Sequence, residues 1–171
     1  KLFSERMCRH FHEDFKLDTK VARYHNIYGP IGTFDGGREK SPAALCRKVA
    51  QAKISGTKDI EVWGAGTQTR SYLFIEDCVE ATLKFIDSED HGPINIGSEE
   101  QVSINQMLEI IEKIANYKVN KIYNTNMPIG VKGRSSNNDK IREVLNWDSN
   151  IKLEQGLSIT YSWIEKMIID K

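Results

Sequence analysis

Apolar residues near the start of the chain recur at helical spacing: Phe3, Met7, Cys8, Phe11 and Phe15 share one face, with Arg6, Arg9, Glu13 and Asp14 opposite. The pattern predicts an amphipathic surface helix covering a core. Residues 20–28 then turn β-rich, with Val21, Tyr24, Ile27 and Tyr28, and a helix leading into a strand is the repeating unit of a parallel α/β sheet. A helix over 42–52 is expected next, with Ser41 as N-cap and Pro42 at the first helical position. Residues 60–63 and 68–75 read as strands separated by a turn at Gly64 and Gly66. A helix over 77–86 and a short buried strand within 92–97 follow. Ser103 with Gln106 fits a capping box and Val102 with Met107 a hydrophobic staple, so 103–115 is the best-signalled helix. Beyond a strand at 118–123, residues 127–138 form a polar, glycine-punctuated loop longer than the usual four to six or so residues, which suits a binding role. Helices over 139–145 and 153–168 close the chain.

Composition narrows the function classes. With 171 residues, 39% of them hydrophobic, the chain can bury a core. The 24 basic and 24 acidic residues cancel, so no overall field draws in nucleic acid or an anionic membrane. Any anion site must be local. Cys8, Cys46 and Cys78 form an odd set without a CxxC pair, which reads as reduced thiols in a cytoplasmic protein, and no metal site is expected. No apolar run approaches the roughly 18 residues of a membrane span, and no signal peptide is visible. The chain opens at Lys1, in mid-helix, and the expectation is that a preceding segment has been removed.

The candidate chemistry gathers at the bend spanning residues 23–48. Asn26, Arg38, Glu39, Lys40 and Lys48 cluster there, as a polyanionic, hydroxyl-rich ligand would require. Lys40 precedes the expected helix, whose positive end disfavours an ammonium, so it is a candidate acid or base; the competing reading is an exposed loop lysine. Arg70, at a strand start after a glycine turn, could grip a phosphate through its planar fork or serve a surface ion pair. Arg134 sits mid-loop beside Ser135 and Ser136, either binding or merely exposed.

Several segments together resemble one family. RYHNIYGP (23–30), GAGTQTRSYLFIEDCVEA (64–81) and PINIGS (93–98) are similar to motifs of the extended short-chain dehydrogenase/reductases acting on nucleotide sugars, the NAD-dependent epimerase/dehydratase family. KLFSERMC (1–8), GGREKSPAALCRK (36–48) and GVKGRSSNN (130–138) resemble the branch that epimerises GDP-mannose at C3 and C5. Phe34-Asp35 and Lys132 depart modestly from its pattern.

The resemblance implies an α/β fold: the C-terminal part of a Rossmann-like parallel sheet plus a smaller mixed α/β substrate-binding domain. Residues 1–28 and about 92–123 would lie on the Rossmann side, and 29–91 with 124–171 on the substrate side. It implies NAD as cofactor, with Lys1 completing a Tyr-x-x-x-Lys motif and Tyr24 nearby. Asn26, Glu39, Lys40, Ser41, Lys48, Gln68, Thr69, Arg70 and Arg134 would hold the nucleotide-diphosphate sugar, Lys40 also moving a proton. The catalytic tyrosine, a cysteine acid/base and the glycine-rich nucleotide loop would lie outside this chain. A homodimer paired through the opening helix is implied for the full-length protein. The alternatives are a 4-epimerase or 4,6-dehydratase of a UDP- or dTDP-sugar, and a non-catalytic binding fragment.

Overall fold

The computed structural model describes residues 1–170. It opens with α1 (Leu2–Phe15), followed by β1 (Ala22–Tyr24) and β2 (Ile27–Tyr28) where one strand was expected. The break falls at Asn26, whose φ of 32° is left-handed, a conformation asparagine tolerates better than most residues. α2 (Ser41–Ser55) leads to β3 (Asp59–Trp63), and the expected 68–75 strand is likewise broken, into β4 (Thr69–Ser71) and β5 (Leu73–Phe74). α3 (Ile75–Ile86), β6 (Ile94–Ile96), β7 (Gln101–Ser103), α4 (Ile104–Ala115), β8 (Asn120–Asn124), β9 (Gly133–Arg134), α5 (Asp139–Leu145) and α6 (Leu153–Ile169) complete the chain.

The breaks change sheet partners. β1 runs parallel to β6, whereas β2 runs parallel to β5. β4 turns away to lie between antiparallel β7 and parallel β9, and β3 pairs in parallel with β8. One residue joins the two switch points: the Asn26 carbonyl accepts from the Leu73 N–H at 3.2 Å, and its side-chain amide donates to the Ser71 carbonyl at 3.0 Å.

Two apolar clusters hold the elements. The larger packs α2, α4 and α6 around Val49, Leu108, Ile111, Leu157 and Ile164, with Ile60 and Val62 of β3. The smaller packs α3 and α5 on β1 and β6 through Cys78, Phe85, Ile94, Ile96 and Ile141. Packing therefore divides the elements differently from the expected residue boundaries: α4 joins the cluster of α2, and α3 joins that of β6. The cause is where each helix finds a facing apolar stripe.

α1 departs from the expected covering helix, since it has no buried residue and Phe3, Phe11 and Phe15 stay exposed. Its Leu2, Glu5 and His12 border a cavity with Val21, His91 and Pro93, but none of its residues is buried there. Polar ties hold it instead: Arg23 pairs with Glu5, Thr19 Oγ1 donates to the Cys8 carbonyl at 3.1 Å, and the His12 and His91 rings lie 4.1 Å apart.

Local signals behave unevenly. The capping box forms, with Gln106 N donating to Ser103 Oγ at 3.1 Å and Ser103 N to Gln106 Oε1 at 2.9 Å. The cap of α2, however, is Lys40 rather than Ser41, and it makes no side-chain capping bond. Ser41 is already helical, and its side chain faces that of Tyr72. The bend ahead of α2 is clamped from inside the helix: Arg47 donates to the Phe34 carbonyl at 2.8 Å and to Glu39 Oε1 at 2.9 Å. Burial alone would raise the pKa of Glu39. The backbone N–H groups of Glu39 and Gly37, with Arg47, outweigh it and hold the carboxyl below its ordinary range.

Two outcomes follow from this packing. A Cβ at Gly156 would overlap Tyr28 Oη and sit 2.7 Å from Phe74 Cδ2, so Gly156→Val should cost about 2–3 kcal/mol of unfolding free energy in urea titration. Because the folded-state pKa of Glu39 is depressed, its stabilisation is present above the ordinary carboxylate value of about 4.3 and lost as pH falls through the folded value. Glu39→Gln should flatten that part of the acid limb of stability against pH.

Candidate functional site

A cleft of about 440 Å³ opens where the start of α2, the end of β3, the following turn and β4 meet Pro128 and Ile129. Glu39, Ser41, Lys48, Gln68 and Arg70, all expected site residues, line it together. The sequence pattern placed them up to 31 positions apart, and the fold closes that distance through the β3–β4 connection. That connection is a tight turn in which Gly64 and Gly66 take positive φ. Asn105 pins it from the start of α4, its backbone N–H donating to the Gly66 carbonyl at 3.0 Å and its side chain to the Ala65 carbonyl at 3.1 Å. A Cβ on Gly66 would collide with this asparagine.

Of the cations lining the cleft, Arg47 is held by the Glu39 carboxylate, whereas Lys48 and Arg70 are bound to carbonyls. Lys48 Nζ donates to the Glu61 carbonyl at 2.7 Å, and burial, its largest influence, lowers its pKa. Arg70 donates to the Thr69 carbonyl at 2.6 Å and weakly to that of Ile129 at 3.4 Å. Arg134 on β9 is in register with Arg70, and Gly133 with Thr69, so the two guanidinium-bearing positions share one face of adjacent strands. Among the described residues Lys48, Arg70, Lys132 and Arg134 form no ion pair. Charges left unpaired on adjacent strands repel, and an anion between them would reverse the sign of the interaction.

Gln68 adds a second mark of a ligand. Its amide nitrogen donates to the Trp63 carbonyl at 3.2 Å, while its Oε1 is buried against the cleft without a donor. A buried acceptor left without a donor costs on the order of 1–3 kcal/mol, and a ligand N–H or O–H would recover it.

The remaining expected residues are spread around this centre. Thr69 donates to Gln101 Oε1 at 3.2 Å beside the cleft, and Asn26 lies behind it in the strand switch. Lys40 is exposed and outside the cleft lining, between two residues that belong to it. Lys1 caps α1, and Tyr24 donates to or accepts from Thr82 Oγ1 at 3.1 Å; both lie apart from the cleft. Sequence reasoning missed Arg47, Glu61, Trp63 and Tyr72, which also line it. Only the alternation of exposed Glu61 and Trp63 along β3 could have pointed to the last strand positions. No group of His, Cys, Asp and Glu among the described residues could hold a metal ion.

Known proteins share this architecture. GDP-mannose 3,5-epimerase of Arabidopsis thaliana is 46% identical over 168 residues, covering 98% of this chain and 43% of that protein. A probable GDP-L-fucose synthase of Oryza sativa is 26% identical, covering 99% and 52%. The crystal structure of UDP-glucose 4-epimerase from Thermotoga maritima with UDP-glucose superposes with a TM-score of 0.88 at 25% identity, covering 98% of this chain and 52% of that one. The chain thus spans about half the length of these relatives or less. Residues 1–97 match the NAD dependent epimerase/dehydratase family, more than half of the sequence, and the chain belongs to that family.

Proposed function

We propose that the whole protein is an NAD-dependent nucleotide-sugar epimerase that inverts GDP-mannose at C3 and C5, and that this chain supplies its substrate side. The observation that carries the reading is the cleft itself: Lys48 and Arg70 line it without direct ion pairs, Arg134 lies in register beside Arg70, and a buried Gln68 oxygen awaits a donor. A diphosphate satisfies the first condition and a base or sugar the second. The 46% identity to a GDP-mannose 3,5-epimerase favours that sugar nucleotide over UDP- or dTDP-sugars.

The cores suggest the division of labour. The cluster of α3, α5, β1 and β6 belongs to the nucleotide-cofactor side, and that of α2, α4 and α6 to the substrate side. NAD suits the residues at the first of these. The exposed Lys1 has an ammonium for ribose hydroxyls, and Tyr24, whose hydroxyl is engaged with Thr82, offers its half-exposed ring. Held there, NAD would supply reversible hydride transfer at the sugar C4.

This chain's own task is to hold the sugar nucleotide and move a proton. Hydrogens at C3 and C5 are too weakly acidic to leave unaided, and a ketone at C4 acidifies both. Lys40, on a long flexible stem at the start of α2 between Glu39 and Ser41, would give or take the proton on one ring face. Asn26 and Thr69 keep β4 placed so that Arg70 faces the diphosphate, and Arg134 closes on it from β9. The exposed Phe3, Phe11 and Phe15 of α1 suit pairing of two full-length protomers. Three free cysteines and the lack of any helix long and apolar enough to cross a membrane among the described residues fit a cytoplasmic enzyme.

Incubating the whole protein with GDP-mannose in heavy water tests the reading. Deuterium should enter at both C3 and C5; a 4-epimerase would exchange neither, and that result would contradict it. Lys40→Ala should slow exchange by about a hundredfold or more with NAD still bound, and retained exchange removes Lys40 from the mechanism. Arg70→Ala should weaken GDP binding by roughly ten- to a hundredfold in calorimetric titration.

A further inference from the structure

We propose that Glu61, braced on β3 beside the indole of Trp63, reads the base of the bound nucleotide and selects guanine over uracil. The inference rests on the nucleotide-sugar reading of the cleft and names the residue that decides which nucleotide enters it. β3 alternates strictly, with Ile60 and Val62 buried and Asp59, Glu61 and Trp63 exposed, so Glu61 and Trp63 stand on one face two residues apart. Both line the cleft.

Trp63 is 46% exposed and no aromatic ring among the described residues packs on it. A large exposed indole at the wall of a cleft is a stacking platform for any base. Discrimination must then come from a polar neighbour. Glu61 has the required character. Its two carboxylate oxygens are each held by a neutral donor: Trp63 Nε1 reaches Oε2 at 3.1 Å and Asn124 Nδ2 reaches Oε1 at 2.7 Å. Each oxygen has capacity for a further hydrogen bond.

Lys48 acts on this carboxylate at longer range, but no cation is in direct contact with it. Lys48 binds the carbonyl of Glu61, not its side chain, and no lysine or arginine forms an ion pair with Glu61. Its donors Asn124 and Trp63 are paired in register across β3 and β8, which keeps the carboxylate at a set position. The result is a preoriented anionic acceptor beside a stacking surface, in a cleft whose cations, Lys48 and Arg70, are available to the diphosphate.

Base chemistry decides what such a group selects. Guanine carries two adjacent donors on its pairing edge, N1–H and the 2-amino group, which match the two oxygens of a carboxylate. Uracil and thymine carry one N–H flanked by two carbonyl oxygens, and those oxygens are repelled by an anion. One side chain thereby favours the correct base and rejects the wrong one.

Calorimetric titration of the protein with GDP, UDP and inosine diphosphate tests this. GDP should bind at least about tenfold more tightly than UDP, and inosine diphosphate, which lacks the 2-amino group, several-fold more weakly than GDP. Glu61→Gln should bring the GDP and UDP affinities to within about threefold with UDP binding no weaker, whereas Trp63→Leu should weaken both, GDP the more because it also removes one donor that holds Glu61. An unchanged GDP-to-UDP ratio in Glu61→Gln, or equal binding of GDP and inosine diphosphate by the unaltered protein, overturns the role of Glu61 while leaving the nucleotide site intact. Failure of every nucleotide diphosphate to bind overturns the nucleotide-sugar reading and this inference with it.

Discussion

The structure depends on a single crossing point. Two strands change sheet partners side by side, and Asn26 bridges them with its carbonyl on Leu73 N and its amide on the Ser71 carbonyl. An unpaired backbone group at such a crossing would cost as much as a lost hydrogen bond, so these contacts let both strands leave their first partners. β2 and β5 then pack against Gly156 of α6, where only glycine gives Tyr28 and Phe74 room. β4 is released toward β7 and β9, and that move carries Arg70 to the cleft.

The cleft is organised by electrostatic incompleteness. Some surface charges away from it are paired: Arg142 is bonded to both Asp148 and Glu99, and Lys53 meets Glu165. At the cleft Lys48 and Arg70 rest on carbonyl oxygens, and two arginine positions lie side by side on neighbouring strands. Folding alone gains nothing from that arrangement, since like charges on adjacent strands are destabilising. Binding an anion does gain from it, while the buried, undonated oxygen of Gln68 calls separately for a ligand N–H or O–H.

Much of this was legible before any coordinates. The capping box at Ser103, the helices 139–145 and 153–168 and the gathering of Glu39, Ser41, Lys48 and Arg70 all follow from local pattern or family likeness. What local pattern could not supply was partnership. A β-rich run does not announce that Asn26 turns left-handed, and the two- and three-residue strands β7 and β9 exist only because β4 lies between them. Ser41 looked like a cap by residue type, yet the helix begins there and Lys40 takes the capping position. Arg47 escaped notice because its value lies in reaching back eight residues to Glu39 and thirteen to Phe34. The Phe stripe of α1 follows helical spacing, yet its phenyl rings stay exposed, which spacing alone does not foretell.

The central claim is that Arg134 stands beside Arg70 to hold an anion rather than to stabilise the fold. The most direct measurement is the denaturant stability of Arg134→Met, with and without GDP. Without nucleotide the variant should be at least as stable as the unaltered protein, because a repulsion is removed at no cost in ion pairs. With saturating GDP the unaltered protein should gain stability as RT ln(1 + [L]/Kd), and the variant should need roughly tenfold more nucleotide for the same gain. A variant that loses stability without nucleotide yet responds to GDP as before would contradict the account.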